Sequence, residues 1–175
     1  MLATSVLRPG TYAVDPARGR VDFTVEHVGM PTVSGRFARF GGEVSVGADG
    51  HVVAARGAVE AASVSTGVRR RDDFLASERF FDVGACPAIT FEADQVHSGP
   101  TGELELHGPL TIAGRACPLT LTGQVRDTGA GRLWVELSGT IRRSRYGLRF
   151  PQWLGAGDRL VADDVHVRIA ARAGR

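Results

Sequence analysis

Apolar and polar residues alternate along short segments that recur from one end of this chain to the other. In one of them Leu133, Val135 and Leu137 share one parity, while Glu136 and Ser138 share the other. A period of two is typical of a β-strand with one wet face and one dry face. About eight such segments are present, so the sequence predicts an all-β fold whose dry faces pack against each other.

Turn residues separate the predicted strands. A longer segment changes parity at Gly41-Gly42, which indicates a bulge or bend there, and Asp49-Gly50 is typical of a hairpin turn. A break is expected at Gly108-Pro109. The expected boundaries of the first four strands are 11–14, 21–28, 34–47 and 51–62.

Residues 65–79 interrupt this rhythm. Val68, Arg71 and Phe74 have helical spacing, and Ser65 or Thr66 is placed to cap the first turn. The sequence therefore predicts one short helical insertion.

Alternation alone leaves a sandwich and a barrel open. The chain has 23 glycines in 175 residues, and glycine supplies the bends and bulges of a barrel, so a barrel is favoured. An eight-stranded closure is also the size that holds one small ligand.

Composition excludes several classes of protein. The net charge of +2 gives no case for nucleic acid as a partner. Cys86 and Cys117 form no CxxC pair and have no histidine at ligand spacing, so no metal site is expected. The chain shows no signal-peptide pattern and no run near the ~18 apolar residues of a membrane span. We therefore expect a cytoplasmic protein with reduced thiols.

One domain is expected over residues 11–173, after a short extension at 1–10. No GxSxG, HExxH, P-loop or GxGxxG pattern is present, so neither an enzyme nor a cofactor is predicted.

Four groups of residues, in order along residues 11–172, resemble the signature of the YceI-like family. They are Tyr12 and Asp15 with His27, Gly29, Val33, Gly35 and Phe37; Thr66-Gly67, Arg71-Asp72, Leu75, Ser77, Phe80-Phe81-Asp82, Pro87 and Phe91; Gly108, Leu110-Thr111-Ile112 and Gly114; and Ser144, Tyr146-Gly147, Asp158, Val161, Asp163 and Val165. The resemblance implies an antiparallel eight-stranded lipocalin-like β-barrel that binds a polyisoprenoid. Two positions depart from the family: Arg18-Gly19 replace a His-Ser pair, and Phe74 replaces a histidine.

The dry face supplies the main candidate ligand site. Its predicted members are Phe23, Val25, Phe40, Val44, Ile89, Phe91, Leu104, Leu106, Leu121, Val135 and Val167. By the resemblance, these residues line a lipid tunnel; without it, a solid core is the commoner outcome. A tail of about forty carbons could reach roughly −12 kcal/mol, which is close to nanomolar affinity.

The remaining candidates are polar or aromatic. His27 lies on the dry face, where it either contacts a ligand head group or is satisfied by a backbone partner. Arg71 and Arg142 belong to arginine groups that suit a phosphate head or simply form a solvated surface. Four aromatic residues complete the candidate set: Phe74, Tyr146, Phe81 and Trp153. Phe81 and Trp153 either form a lid over the barrel mouth or simply fill the end of the barrel.

The leading hypothesis is a non-enzymatic carrier or store for a long-chain isoprenoid lipid, such as a polyprenyl phosphate or a prenyl quinone. Transient contact with a membrane surface and a homodimer are both compatible with this function. A stress or interaction protein with a solid barrel is the first alternative. An enzyme that acts on a hydrophobic substrate, with His27 or Asp72 as acid–base, is the second.

Overall fold

A computed structural model describes residues 6–151 and 159–175. In these ranges the strands are β1 (Gly10–His27), β2 (Val33–Phe37), β3 (Phe40–Val46), β4 (Val52–Glu60), β5 (Val64–Ser65), β6 (Ala88–Glu92), β7 (Gln95–Ser98), β8 (Glu103–Ile112), β9 (Arg115–Gly129), β10 (Arg132–Arg142) and β11 (Val161–Gly174), with one α-helix, α1 (Arg69–Ala76). Short 3-10 turns cover Ala61–Ser63 and Arg143–Tyr146.

The strands form one closed antiparallel barrel. Their order is β11-β10-β9-β8-β6-β4-β3-β1, and β1 pairs with β11 to complete the ring. Strand β2 follows β3 along the same flank of β1, and β7 follows β6 along β8. The eight-stranded barrel with one helical insertion that the sequence predicts is therefore confirmed.

The two ends of the barrel differ. The end that we call the helix end carries α1, both 3-10 turns and the turns at 28–32 and 113–114. The opposite hairpin end carries the turns at 47–51, 99–102 and 130–131, together with the start of β1 and the end of β11. The hairpin turn predicted at Asp49-Gly50 is confirmed, and Gly50 has the positive φ of 78° that this turn needs.

The prediction of two separate opening strands was wrong, because β1 runs from Gly10 to His27. Its pairing with β11 shifts between Val14 and Gly19, where four residues leave the ladder. Within them the Asp15 carboxylate accepts a hydrogen bond from the Ala17 N–H at 3.0 Å. This irregularity hid the continuity of the strand from the alternation pattern.

The predicted strand over 34–47 is in fact two strands, and the break lies at residues 38–39 rather than at Gly41-Gly42. At this break the backbone N–H groups no longer pair with a neighbouring strand. The Ala38 N–H donates to the Ser63 carbonyl, and the Arg39 N–H donates to the Ser63 hydroxyl. Gly41 and Gly42 lie within β3, where a Cβ on Gly42 would stand 2.6 Å from the Arg56 carbonyl oxygen.

The break predicted at Gly108-Pro109 is also wrong, since β8 continues through both residues. Glycine is required at this position for a different reason. A Cβ on Gly108 would lie 2.1 Å from the Glu92 carbonyl oxygen, where the chain passes from β6 to β7. Pro109 stands opposite Pro118 in the pairing of β8 with β9.

The helix is shorter than predicted, and its expected cap is wrong. Residue Val68 precedes α1 without a side-chain capping bond. Thr66 instead donates to the Asp72 carboxylate, from its N–H at 2.9 Å and from its hydroxyl at 2.5 Å. Asp72 thereby fixes the entry to the helix from inside its first turn. No helix in the described ranges has the length and apolar character needed to cross a bilayer.

Candidate functional site

A cavity of about 240 Å³ lies inside the barrel and extends to the helix end. Most of its walls come from inward-facing positions, because alternate side chains of each strand point into the barrel. On β3 and β4, however, the consecutive residues 40–44 and 55–59 all line it. The predicted residues that line it are Phe23, Val25, Phe40, Val44, Ile89, Phe91, Leu106, Leu121, Val135 and Val167, together with Arg71 and Phe81. The alternative of a completely solid barrel is contradicted by this space.

The sequence analysis missed other wall residues. Several follow from the same parity, and Phe37 was assigned to the wrong face because the break at residues 38–39 was not foreseen. Those added by the structure include Val14, Val21, Val33, Phe37, Val59, Leu75, Leu110, Ile112, Leu119, Leu137, Ile141, Leu148, Val165 and Ile169.

The hairpin end of the barrel is filled. Tyr12, Leu104, Val125 and Leu133 are at most 2% exposed, and none of them lines the cavity. We call these four residues the plug. Leu104 was predicted to line the site, but it packs within the plug because it lies closer to the hairpin end than its wall neighbour Leu106. The cavity therefore ends short of these four residues.

A group of phenylalanines covers the helix end of the cavity. The ring of Phe80 lies 4.9 Å from both Phe81 and Phe150, centre to centre, and 5.7 Å from Phe74. Phe80, Phe81 and Phe150 face the cavity, whereas Phe74 packs behind them and does not line it. Trp153, the remaining aromatic candidate, lies outside the described residues.

Arg71 brings a charge to the cavity wall. Its Nε donates to the Thr66 hydroxyl at 2.8 Å, and its Nη2 donates to the Thr66 carbonyl at 3.1 Å. The same hydroxyl donates to Asp72, so Arg71, Thr66 and Asp72 form one hydrogen-bonded chain. This arrangement fixes the guanidinium at the helix end, in the wall of the cavity that Leu75 and Phe81 also line.

Arg142 does not reach the cavity. Its side chain is 61% exposed and lies 3.7 Å from the Asp164 carboxylate. The next residue, Arg143, points inward and is 4% exposed, although sequence reasoning did not separate the two. Its three nitrogens donate to the carbonyls of Ala162, Leu148 and Val161 at 2.8–3.0 Å, and its guanidinium stacks 5.1 Å from the Phe150 ring centre.

His27 and Tyr146 are also absent from the cavity wall. The His27 Nδ1 donates to the Val28 carbonyl at 3.1 Å, while its Nε2 is buried and has no hydrogen-bond partner in the described part of the chain. The Tyr146 hydroxyl donates to the Cys117 carbonyl at 3.4 Å. Burial, reinforced by the neighbouring Cys117, raises the pKa of Tyr146 to about 12, so its phenol stays protonated.

Comparison with known proteins gives a consistent family. A sequence profile described as the YceI-like domain matches residues 12–173. A UPF0312 protein of Vibrio cholerae is 30% identical over 143 residues, which are 79% of this chain and 75% of that protein. A UPF0312 protein of Staphylococcus aureus is 28% identical over 169 residues, covering 91% of this chain and 95% of the relative.

Solved structures share the fold. The crystal structure of Burkholderia cenocepacia BcnA matches with a TM-score of 0.79 and 23% identity, over 91% of this chain and 98% of that one. A polyisoprenoid binding domain from Saccharophagus degradans, implicated in plant cell wall breakdown, matches with a TM-score of 0.73 and 15% identity, over 95% and 99%. At these identities the likeness concerns the barrel itself.

Proposed function

This chain belongs to the YceI-like family, and from that premise we propose that it binds a single-tailed isoprenoid lipid inside its barrel. The cavity is the observation that carries this proposal, because its walls are built almost wholly of aliphatic and phenylalanine side chains. Burying a tail there removes apolar surface from water at both partners, which stabilises the complex by ~0.8 kcal/mol per CH₂. The S. degradans neighbour, described as a polyisoprenoid binding domain, supports the same class of ligand.

The head group of this lipid is anionic in our proposal. Arg71 stands at the wall on the helix end, and among the described residues its hydrogen bonds go to Thr66 alone. A guanidinium without a carboxylate partner suits a phosphate or carboxylate, which it can bind through two parallel hydrogen bonds. The head then lies at the helix end, while the tail extends toward the plug.

In this proposal the lipid is loaded and released at the helix end, because the plug fills the hairpin end. Here three arginines and one carboxylate, Arg69, Arg70, Arg79 and Asp73, line a shallow open groove beside Phe74, so that the groove is cationic on balance. Exposed arginines favour transient contact with an anionic membrane surface. In this proposal the protein carries or stores the lipid without chemical change. A homodimer and a cytoplasmic location stay predictions.

The proposal is tested by lipid recovery. Purified protein is incubated with prenyl phosphates, washed and extracted with organic solvent, and the extract is analysed by mass spectrometry. Val135→Trp places an indole in the cavity, and Val53→Trp places the same side chain on the outer face, where Val53 is 56% exposed. Circular dichroism verifies that both variants are folded.

We expect wild type and Val53→Trp to yield about one lipid per barrel and Val135→Trp to yield little. Absence of lipid from the wild-type extract would contradict the proposal. Equal recovery from the two tryptophan variants would show that lipid adheres to the outer surface instead.

A further inference from the structure

We propose that the turn at 28–32 and the loop at 66–68 anchor the protein in an anionic membrane surface, with Val28, Met30 and Val68 inserted among the lipid chains. We call these two segments the docking edge. This inference rests on the proposed function, because it names the surface from which the same cavity takes its lipid. It adds an apolar anchor to the cationic groove beside Phe74.

The turn at 28–32 is apolar and exposed. Its five residues include no charged side chain, and each of them is exposed to solvent. Val28 is 68% exposed, and Met30 is 58% exposed. Gly29 has a positive φ of 76°, and a Cβ placed on it would meet no described atom within 4 Å. Two large apolar side chains are thus held in water at one turn, where an apolar medium would stabilise them.

Val68 adds a third apolar side chain on the same flank of the barrel. Strand β5 pairs antiparallel with the end of β2, with Ser65 opposite Arg36. Strand β2 begins at Val33, directly after the turn. The chain that follows β5 therefore runs back along β2 in the direction of the turn. Val68, which is 48% exposed, lies three residues beyond Ser65 and directly precedes α1.

The docking edge continues the wall of the cavity. Val25 and Val33 stand opposite each other on the two strands that carry the turn, and both line the cavity. Leu75, on the helix that follows Val68, lines it as well. A docking edge that is inserted in a membrane therefore brings the helix end of the cavity to the lipid surface. An apolar tail can then pass between membrane and barrel with little exposure to water.

The net positive charge of the described residues lies at the helix end. Residues 26–33, 61–87, 113–115, 142–151 and 159–164 hold ten arginines and seven Asp or Glu residues. The other described residues hold eleven of each sign and are neutral in sum. Anionic lipids attract basic residues that lie near their surface, so the barrel approaches such a membrane with the helix end first.

The hairpin end lacks this combination. Val6 and Val53 are the other large apolar residues exposed in the described ranges, at 64% and 56%. Both lie against the turn at 47–51. The residues outside the helix end have no net charge, and the plug fills the barrel here. Apolar exposure, positive charge and the cavity therefore meet only at the helix end of the described structure.

Membrane docking is measured by co-sedimentation with vesicles of phosphatidylglycerol and phosphatidylcholine in equal amounts, without any prenyl lipid. Met30→Glu places a charge on the docking edge, and Val53→Glu makes a similar change at the hairpin end. We expect Met30→Glu to need at least about tenfold more lipid than wild type for half-maximal binding. Val53→Glu should match wild type. Arg79→Gln, in the groove beside Phe74, should need about fivefold more lipid than wild type.

Insertion itself is measured by tryptophan fluorescence. Met30→Trp and Val53→Trp place an added indole at the two ends of the barrel. Phospholipids brominated on their acyl chains quench an indole that lies among those chains. We expect the added indole of Met30→Trp to be quenched and that of Val53→Trp to stay unquenched. Equal quenching in the two variants would overturn the inference, because the docking edge would then not be the inserted part.

Vesicle binding by Met30→Glu that equals wild type would overturn the inference, as would a failure of wild type to bind. Size-exclusion chromatography tests the other occupant, a second copy of this chain. A dimer that Met30→Glu converts to a monomer would assign the docking edge to that copy and overturn membrane docking.

The proposed function is decided separately, by recovery of prenyl phosphate in the absence of vesicles. Met30 does not line the cavity, so Met30→Glu should yield as much prenyl lipid as wild type. Wild type that yields prenyl lipid but does not bind vesicles would overturn membrane docking and leave the proposed function intact. Wild type that binds vesicles but yields no prenyl lipid would contradict the proposed function.

Discussion

Replacing Arg143 with methionine should lower the free energy of unfolding by about 3 kcal/mol. No sequence pattern indicates that Arg143 has this structural role. The Arg143 guanidinium is buried and donates to three backbone carbonyls, which join the 3-10 turn after β10 to Leu148 and to the start of β11. Methionine has a similar length and volume, so the cavity wall keeps its shape while the hydrogen bonds are lost.

The magnitude follows from two opposing terms. Three hydrogen bonds from a charged donor contribute ~1.5–3 kcal/mol each, so roughly 5–9 kcal/mol is lost. Removing the charge also removes a desolvation cost of several kcal/mol. The net loss of about 3 kcal/mol corresponds to a decrease in Tm of roughly 6–12 °C for a chain of this size.

Arg142→Met is the matched control. The two arginines are adjacent, but Arg142 is 61% exposed and its ion pair with Asp164 spans 3.7 Å. Such exposed pairs contribute about 0–1 kcal/mol. Urea unfolding of both variants, followed by circular dichroism, should give a difference of at least about 2 kcal/mol between them. Equal stabilities would refute the structural role of the inward guanidinium.

Three further substitutions test other parts of the barrel. Gly35→Ala places a Cβ 2.2 Å from the Phe23 ring, so the ring must turn into the cavity. We expect the free energy of unfolding in urea to fall by about 1–3 kcal/mol and less lipid to be recovered. Unchanged lipid recovery would contradict this prediction. Phe80→Ala removes the ring that contacts three other phenylalanines at the helix end. It should lower the free energy of unfolding in urea by about 3–5 kcal/mol, and a loss below about 1 kcal/mol would contradict this packing role. Asp163→Asn should destabilise the protein at pH 7. Burial alone would raise the pKa of the Asp163 carboxyl, but the hydrogen bonds from Ser144 and the nearby arginine charges outweigh it and the pKa is lowered. The contribution of Asp163 to the free energy of unfolding is therefore complete above pH about 4 and is lost as the pH falls below that value. The difference in unfolding free energy between wild type and Asp163→Asn should shrink below pH about 4. A difference that stays constant with pH would contradict this assignment.

The all-β fold could be predicted from the sequence because alternation reports directly on which face of each strand is dry. The choice of a barrel over a sandwich rested on the glycine content and on the family resemblance, because alternation is the same in both folds. Positions where the chain leaves the hydrogen-bonded strand pairing were harder to predict from the sequence. Four residues bulge from β1 without ending it, and Gly108 looked like a break although it serves a close approach to the Glu92 carbonyl. These features depend on contacts between distant segments, which no local pattern contains.

The wall of the cavity was predicted in large part by the same parity rule, but its depth was not. Leu104 and Leu106 share a face and a residue type, yet one belongs to the plug and the other to the wall. Their difference is axial position in the closed barrel, which alternation does not encode. Arg142 and Arg143 likewise differ only in which side of the chain each faces at the end of β10.

The most direct measurement of lipid binding is the position of the tail end within the protein. A prenyl phosphate with a diazirine at its tail end is bound and irradiated, and the labelled peptides are identified by mass spectrometry. Occupancy of the cavity predicts labels at Leu106, Leu121 or Val135, next to the plug. Labels confined to outward-facing residues would contradict it.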